Sequence, residues 1–502
     1  MLKKIRVVAA ITFFLLITLL FLDFTGTFHV WLGLLAKVQI IPAVLAVNTM
    51  IIILLILLTL LFGRIYCSVI CPLGILQDGI SNMSGQRKGK KNRFRYSPAK
   101  SWLRYGILGL FIIAMIAGVS IIVAILDPYA GYGRIASNFF AAIYRLGNNI
   151  LAMIAERADS YAFYSTDVWI KSWITFGIAA ITLLVTGILA WRHGRTYCNT
   201  ICPVGTFLGF LSKFSLFRLT FDEKKCSNCN ACERECKASC IEVKTKNIDH
   251  SRCVTCFNCI EKCKFGAMKY APVKLRNKGS VSESVQNTEG KTDGFSRRNM
   301  LSLLGAITVA STLKAQLLHV DGGLAKIEDK KIPHRKTPIV PPGAVSAKNM
   351  ENKCTACQLC VSACPNNVLR PSNKLETLMQ PEMSFERGYC RPECVECSQV
   401  CPTSAIKPVT TAGKSAISIG WAVWIKENCI VNTDEVQCKS CVQRCPTGAI
   451  ILVDRNPNSE SSLKIPVIDI EFCIGCGACE HHCPARPFSA IYVEGHLRHH
   501  SI

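Results

Sequence analysis

The sequence predicts an α-helical membrane domain of four to five spanning helices, followed by small α+β domains that are rich in cysteine. Two observations carry this prediction. The 502-residue chain has a mean hydropathy of +0.28, and apolar runs of roughly 20 residues, the length that crosses a bilayer, crowd into its first 200 positions. Most of its 29 cysteines lie in the remainder. A single soluble domain is therefore excluded.

Four apolar segments define the predicted membrane domain: residues 5–22, 43–62, 106–126 and 172–191. Clusters of Lys and Arg precede the first segment, separate the second from the third and follow the fourth. Because such clusters stay in the cytoplasm, the N terminus is predicted inside, and the chain returns inside after the fourth crossing. A signal peptide is the competing interpretation of the first segment, but no small-residue cleavage site follows it.

Two further apolar segments are predicted to lie at the membrane surface. Residues 24–42 are interrupted by His29, Lys37 and Pro42, which favours an interfacial or re-entrant piece. Residues 136–155 have apolar side chains at helical spacing, which favours a helix in the outer interface. The formal charge of +24 comes from basic residues beside apolar spans, so it indicates topology rather than a nucleic-acid partner.

One segment occurs twice: GRIYCSVICPLG at 63–74 recurs as GRTYCNTICPVG at 194–205, each time after a predicted span. The repeat predicts two pseudo-symmetric halves. Its paired cysteines, spaced i and i+4, share a helix face and are expected to meet near the cytoplasmic surface. A metal or cluster site, a redox-active dithiol pair and simple packing are all open interpretations. These four residues are Cys67, Cys71, Cys198 and Cys202.

Twenty-four other cysteines form six groups of four, most of them with the spacing Cys-x2-Cys-x2-Cys-x3-Cys. The groups are Cys226, Cys229, Cys232 and Cys236; Cys253, Cys256, Cys259 and Cys263; Cys354, Cys357, Cys360 and Cys364; Cys390, Cys394, Cys397 and Cys401; Cys429, Cys438, Cys441 and Cys445; and Cys473, Cys476, Cys479 and Cys483.

This spacing predicts iron–sulfur ligation. Three thiolates wrap corners of a cubane cluster, and the fourth reaches the neighbouring cluster in two-cluster ferredoxins. The six groups therefore predict bacterial ferredoxin-like domains with six [4Fe-4S] clusters. Zinc and disulfides are disfavoured by so tight a run of cysteines. No proline follows Cys236 or Cys263, and the groups that begin at Cys390 and Cys429 have widened first spacings. Cys240 is left as a bystander.

The predicted domain order follows from these features. Arg297 and Arg298 precede a short apolar stretch and match a twin-arginine export signal, although they lie mid-chain. The first two cysteine groups are then expected in the cytoplasm and the last four outside. The predicted units are a transmembrane quinol-interacting domain (1–215), a cytoplasmic two-cluster domain (216–275), a linker (276–295), a twin-arginine-like signal or anchor helix (296–318), a connector (319–350) and a periplasmic four-cluster domain (351–502).

Cysteine groups on opposite sides of a membrane need an electron carrier between them, because the hydrocarbon core is about 30 Å thick. Haem is not expected, since His29 and His193 lie at opposite faces, and the sequence has no flavin-linkage motif. A diffusing quinone is the remaining carrier. The candidates for contact with its head group, for each of which interfacial anchoring is the alternative, are Asp23, His29, Lys37, Gln39, Asp127 and Tyr129.

At the repeated YCxxxCP motifs and the first two cysteine groups, residues 1–275 resemble the NapH family of membrane quinol dehydrogenase components, which is related to the polyferredoxin part of NosR. From Arg297 onward the chain is similar to NapG, an exported ferredoxin with four [4Fe-4S] clusters, and to MauM. The resemblance implies a natural fusion in the bacterial inner membrane. It also implies that electrons pass from menaquinol or ubiquinol through clusters held by the 24 cysteines to a periplasmic cytochrome or reductase.

Two other function classes fit parts of the sequence. A maturation factor for a metalloenzyme, like the cytochrome oxidase accessory ferredoxins, would use the four cysteines of the YCxxxCP repeats as its working site. A redox sensor is disfavoured because no output domain is visible in the sequence.

Overall fold

The computed structural model describes residues 1–23, 26–87, 94–272, 328–456 and 462–502. The linker predicted at 276–295 and the twin-arginine-like segment predicted at 296–318 lie outside these residues. The connector predicted at 319–350 is described only from residue 328.

Helices dominate the described part of the first 212 residues. They are α1 Leu2–Leu22, α2 His29–Lys37, α3 Ile40–Leu45, α4 Thr49–Phe62, α5 Ile65–Val69, α6 Pro72–Arg87, α7 Ser101–Ala117, α8 Ser120–Leu126, α9 Pro128–Ile135, α10 Ala141–Arg157, α11 Trp173–His193, α12 Thr196–Thr200 and α13 Pro203–Ser212, with a π-helical turn, Ala136–Phe140, before α10.

Two of the four predicted spans are single helices, and two are broken. By length and composition, α1 and α11 are each able to cross a membrane. The unbroken helix predicted over 43–62 is wrong: the chain breaks between α3 and α4, where Val47 has a φ of +54° and the Asn48 side chain caps α4 by accepting from the Ile51 amide. The helix predicted over 106–126 is likewise divided at Gly118, whose φ is +73°.

The two cysteine-rich parts consist of short helices and two-stranded antiparallel hairpins. The middle cysteine domain, residues 217–272, contains the strands β1 Phe217–Phe221, β2 Ile241–Glu242, β3 Asn247–Ile248 and β4 Met268–Pro272 and the helices α14 Ala231–Arg234 and α15 Asn258–Lys262. Strand β1 pairs with β4, and β2 pairs with β3.

The C-terminal cysteine domain, residues 328–502, repeats this design. Its helices are Ala347–Lys353, Leu359–Ala363, Glu396–Val400, Thr411–Ser415, Ile430–Thr433, Ser440–Gln443 and Ala478–His482. Its strands are Leu369–Pro371, Pro381–Met383, Ile417–Trp424, Ile450–Asp454, Lys464–Ile468 and Ile491–Ser501. The longest pairing joins Ile417–Trp424 to Ile491–Ser501 and ties the chain's last strand back across the domain.

The two cysteine domains contact opposite ends of the helix bundle. At one end of α11 the Arg195 amide donates to the carbonyl of Lys237 in the middle domain, at 2.9 Å. At the other end the Ser172 hydroxyl bonds to Asn373 in the C-terminal domain, at 2.6 Å. A 21-residue helix is about 30 Å long, so the bundle holds the two domains about one hydrocarbon thickness apart.

Each copy of the repeat folds back as a short helical hairpin. After α4, the chain passes through α5 and turns into α6, which packs along α11; the Ser84 hydroxyl of α6 donates to the carbonyl of Trp191 at 2.8 Å. After α11, the chain passes through α12 into α13, which packs on α4 and α7. The two halves of the bundle therefore share one local fold, as the sequence repeat predicted.

A buried carboxylate ties the bundle to the middle cysteine domain. Asp78 on α6 pairs with Arg6 at 2.9 Å, with Arg195 at 2.8 Å and with Lys237 at 3.4 Å. These cations come from α1, from the start of the second repeat and from the middle domain. One carboxylate therefore fixes three separate chain segments.

Replacing Asp78 by Asn should destabilise the protein by about 3–5 kcal/mol, because it leaves buried cations without their counter-charge. The midpoint of thermal unfolding in detergent, followed by circular dichroism, measures the loss. Asp167→Asn is the matched control, since Asp167 is exposed in the connection before α11. Equal midpoints for the two variants would contradict this role of Asp78.

Candidate functional site: cysteine groups and a buried quartet

The cysteine groups assemble in pairs. None of the 29 cysteines forms a disulfide. Three small cavities are each lined by the first three cysteines of one group and the last cysteine of its neighbour. The lining sets are Cys226, Cys229, Cys232 and Cys263; Cys390, Cys394, Cys397 and Cys364; and Cys429, Cys438, Cys441 and Cys483.

The reciprocal sets are also close together. Burial raises the pKa of the Cys360 thiol well above its usual value, and the neighbouring Cys354, Cys357 and Cys401 raise it further. By the same electrostatic proximity, Cys236 lies near the group that begins at Cys253, and Cys445 lies near the group that begins at Cys473. The C-terminal groups therefore pair first with second and third with fourth, a pairing that the sequence left open.

The loops between these cysteines have a shape that suits an iron–sulfur cluster. In four groups the residues before and after the second cysteine are both left-handed, with φ between +50° and +77°. Left-handed residues in a turn allow successive backbone N–H groups to point to one side. Such nests bind anions, including iron–sulfur clusters. These residues are Asn228 and Asn230, Thr255 and Phe257, Ala356 and Gln358, and Gly475 and Gly477.

Backbone amides also donate directly to the sulfur atoms. The amide of Ala356 lies 3.4 Å from Cys354 Sγ, that of Ile406 lies 3.4 Å from Cys401 Sγ, and that of Ala490 lies 3.3 Å from Cys483 Sγ. Hydrogen bonds to cluster sulfurs help to set the reduction potential. Within the described ranges, no three His, Cys, Asp or Glu side chains converge closely enough for a single metal ion. The four-cysteine lining sets and these amide contacts fit a [4Fe-4S] cluster.

The four cysteines of the repeats, named here the cysteine quartet, meet inside the bundle. Cys67, Cys71, Cys198 and Cys202 are each only 4–5% exposed and belong to one packed core. The sequence prediction that the two pairs meet is therefore consistent with the fold. They lie where each repeat folds back into the bundle, near the contact of Arg195 with the middle domain, and their place near the cytoplasmic surface stays a prediction.

Two arginines lock the halves of the quartet together. Arg64 lies 3.8 Å from Cys67 Sγ in its own repeat and donates to the carbonyl of Cys198 in the other, at 3.1 Å. Arg195 lies 3.8 Å from Cys198 Sγ and donates to the carbonyl of Cys67, at 2.8 Å. The contact is therefore reciprocal.

The glycine that ends each repeat permits this approach. A Cβ on Gly74 would lie 2.4 Å from the carbonyl oxygen of Cys67, and one on Gly205 would lie 2.1 Å from that of Cys198. Real Cβ atoms do not come so close to oxygen, so each repeat needs glycine at this position. The structure therefore extends the repeated motif to YCxxxCPxG, because its final glycine is required.

The predicted quinol contacts do not form one set. Asp23 and His29 pair at 3.0 Å, beside α2. Gln39 accepts from the Tyr66 hydroxyl at 2.8 Å, next to the quartet. Lys37 lies half-buried in the last turn of α2 and joins neither pair.

Asp127 and Tyr129 lie where the bundle meets the C-terminal domain. Asp127 caps α9 by accepting from the Tyr129 amide at 3.0 Å. A Cβ on Gly133, one turn later, would lie 2.3 Å from the carbonyl oxygen of Cys357. Helix α9 therefore touches the backbone of a predicted cluster ligand.

Sequence reasoning missed a cleft of about 230 Å³ between the bundle and the C-terminal domain. Arg145, Trp169, Lys171 and Phe176 line it from the bundle side. The Lys171 ammonium donates to the carbonyl of Val361, beside Cys360, at 2.8 Å. No sequence motif marks these residues, because they meet only when the two domains pack.

Comparisons with known families agree with this arrangement. A model described as a 4Fe-4S binding domain matches residues 45–91 and 173–221. A model described as a 4Fe-4S dicluster domain matches residues 353–405, which contain the first C-terminal group pair, and residues 436–486, which contain the second pair except Cys429. No solved structure matches the chain.

Relatives of known name are ferredoxin-type proteins. The chain is 32% identical to the methylamine utilization ferredoxin-type protein MauM of Methylobacillus flagellatus over 29% of its length and 64% of the relative. It is 30% identical to MauM of Methylophilus methylotrophus over 37% of its length and 79% of the relative. It is 31% identical to the ferredoxin-type protein NapF of Escherichia coli K12 over 32% of its length and 87% of the relative.

The paired groups and the matching models define an iron–sulfur electron-transfer protein with [4Fe-4S] ferredoxin domains. The chain belongs to the family of MauM and NapF ferredoxin-type proteins. Less than two fifths of the chain is covered by any of these three relatives.

The observed pairing predicts which cysteines act together. Cys354→Ala and Cys401→Ala should each disrupt the same cluster, so the double variant should lose no more iron than either single variant. Cys401→Ala combined with Cys390→Ala should lose about twice as much, because those residues belong to different sets. Iron per chain after anaerobic purification measures both. Additive loss for the first pair would contradict the pairing.

Proposed function

We propose that the protein is a quinol dehydrogenase of the bacterial inner membrane that passes electrons through six [4Fe-4S] clusters to a periplasmic cytochrome or reductase. When bound, the clusters accept and release single electrons. The proposal joins the iron–sulfur relay to a helix bundle in the bilayer, as the resemblance to NapH fused to NapG implies.

An apolar surface supports the membrane location. Long apolar side chains point outward along the bundle, such as Val8 on α1 at 65% exposure and Ile181 on α11 at 62%. Soluble proteins rarely expose contiguous apolar surface on this scale. The ends of α4 and of the pair α7–α8 contact the middle domain near Thr255 and Ser251. The four proposed crossings are α1, α4, the pair α7–α8 and α11.

The observation that carries the quinol assignment is a pair of buried polar atoms beside the C-terminal domain. The Tyr129 hydroxyl and Asp127 Oδ2 are fully buried and have no hydrogen-bond partner among the described residues. Buried polar groups are normally satisfied, and an exception calls for a ligand or water. A quinol hydroxyl would satisfy whichever of these atoms it reached, and Asp127 would then take a proton from the quinol.

The same location suits electron delivery. Tyr129 and Cys357 belong to one packed core, and Cys357 also lies against α9. A quinol oxidised there would pass its two electrons one at a time into the cluster held by the Cys357 set, and its two protons would pass in turn through Asp127 to solvent. The C-terminal domain then offers three further cysteine sets on the way to an acceptor.

The maturation-factor alternative has less support. A quartet that hands metal or thiol equivalents to a client must be touched by another protein, and a protein cannot approach thiols that are 4–5% exposed, whereas a quinol is small enough to reach buried atoms such as the Tyr129 hydroxyl between helices. The quartet therefore suits a resident function.

Menaquinol added anaerobically to the purified protein should reduce clusters, as seen by loss of visible absorbance and by EPR. Tyr129→Phe should slow this reduction about tenfold, because it removes a hydrogen bond to the quinol worth roughly 1.4 kcal/mol in the rate-limiting step. Dithionite should still reduce the variant fully. Tyr161→Phe, at an 84% exposed tyrosine, is the matched control.

Two results would count against quinol oxidation at Tyr129. In the first, dithionite reduces the wild-type clusters but menaquinol does not. In the second, Tyr129→Phe and Tyr161→Phe are reduced by menaquinol at the same rate.

A further inference from the structure

We propose that the cysteine quartet binds one more iron–sulfur cluster, which lies inside the bundle and connects the clusters of the two cysteine domains. This inference rests on the iron–sulfur part of the proposed function and not on the quinol site. The ligands would be Cys67 and Cys71 from the first repeat and Cys198 and Cys202 from the second.

The two repeats place their four thiols in one part of the bundle. Each repeat supplies two cysteines and a Cys-Pro turn, and the two copies face each other across the reciprocal arginine contacts. The four thiols lie in one packed core, close enough for each to act electrostatically on the others. The Gly205 amide donates to Cys202 Sγ at 3.3 Å, as backbone amides do to the sulfurs of the ferredoxin groups.

Buried positive charge lies beside the quartet. Arg64 is completely buried, and its partners in the described chain are the Asn199 side chain, two carbonyl groups and Cys67 Sγ, with no carboxylate. Its Nε and the Nη2 of Arg195 have no partner within the described ranges. A buried cation without an anion is costly. A cluster held by four thiolates carries net negative charge and would compensate both arginines.

The four thiols are free to act as ligands. None of them forms a disulfide, which is also true of the thiols that line the three ferredoxin cavities.

The quartet lies between the cysteine groups of the two domains. One packed core runs without interruption from the quartet through Tyr66, Tyr197 and Tyr129 to Cys357 and Cys360 of the C-terminal domain. On the other side, Arg64 donates to the carbonyl of Ser251, two residues before Cys253, at 3.1 Å. The Arg195 amide bonds to the carbonyl of Lys237, directly after Cys236. The quartet therefore contacts the surroundings of a cluster on each side.

A cluster at this point changes how electrons cross the bundle. One electron would move from a reduced cluster in one cysteine domain to the oxidised quartet cluster, and from there to the other domain, with no bond made and no proton moved. The expected diffusing quinone would then be the electron source, and it would not be needed as the carrier across the bilayer.

The test compares the full-length double variant Cys67→Ser/Cys198→Ser with the control Thr200→Ala. The Thr200 hydroxyl donates to the carbonyl of Thr196 in its own helix. After anaerobic purification, iron and acid-labile sulfide per chain should fall by one cluster in the double variant and stay unchanged in the control. EPR should show that the ferredoxin clusters remain, which separates the loss of one site from misfolding.

A second measurement covers the case in which the double variant does not fold. Arg64→Gln should retain the cluster but lower its reduction potential, because a positive charge beside it is removed; Mössbauer-monitored redox titration measures this shift.

Unchanged iron in a folded double variant would overturn the proposal. A disulfide found by thiol labelling of oxidised, denatured protein at these four cysteines would also overturn it, in favour of a dithiol pair.

Discussion

The reciprocal contact of Arg64 and Arg195 is the interaction on which the rest of the structure depends. Each guanidinium belongs to one repeat and bonds to the backbone of the other. Each arginine also holds a loop of the middle cysteine domain, and Arg195 pairs with the buried Asp78. The same two residues therefore join the halves of the bundle, seat one ferredoxin domain and place positive charge beside four buried thiols.

The cysteine spacing predicted much of the site. The six groups, and the use of the fourth cysteine by a neighbouring set, follow from local sequence because a short loop must wrap a cluster corner. Which C-terminal groups pair does not follow, since it depends on packing over long distances. The left-handed residues at Gly475, Gly477, Asn228 and Asn230 were readable in principle, because Gly and Asn tolerate that conformation.

Hydropathy predicted the bundle less completely. It located α1 and α11, but it predicted continuous helices across Val47 and Gly118, because apolar residues on both sides of a break average into one span. The contacts around the quartet also escaped prediction. Short apolar segments after a span read equally well as surface loops or as hairpins that fold back, and only the contacts of α6 and α13 decide between them.

The most direct test of a continuous electron path is EPR on quinone-free proteoliposomes in which the middle cysteine domain faces a membrane-impermeant reductant. A continuous electron-transfer path through the bundle predicts that the clusters of the C-terminal domain become reduced on the opposite side without added quinone. If those clusters stay oxidised until quinone is supplied, the electrons cross on a diffusing carrier and the path through the quartet is wrong.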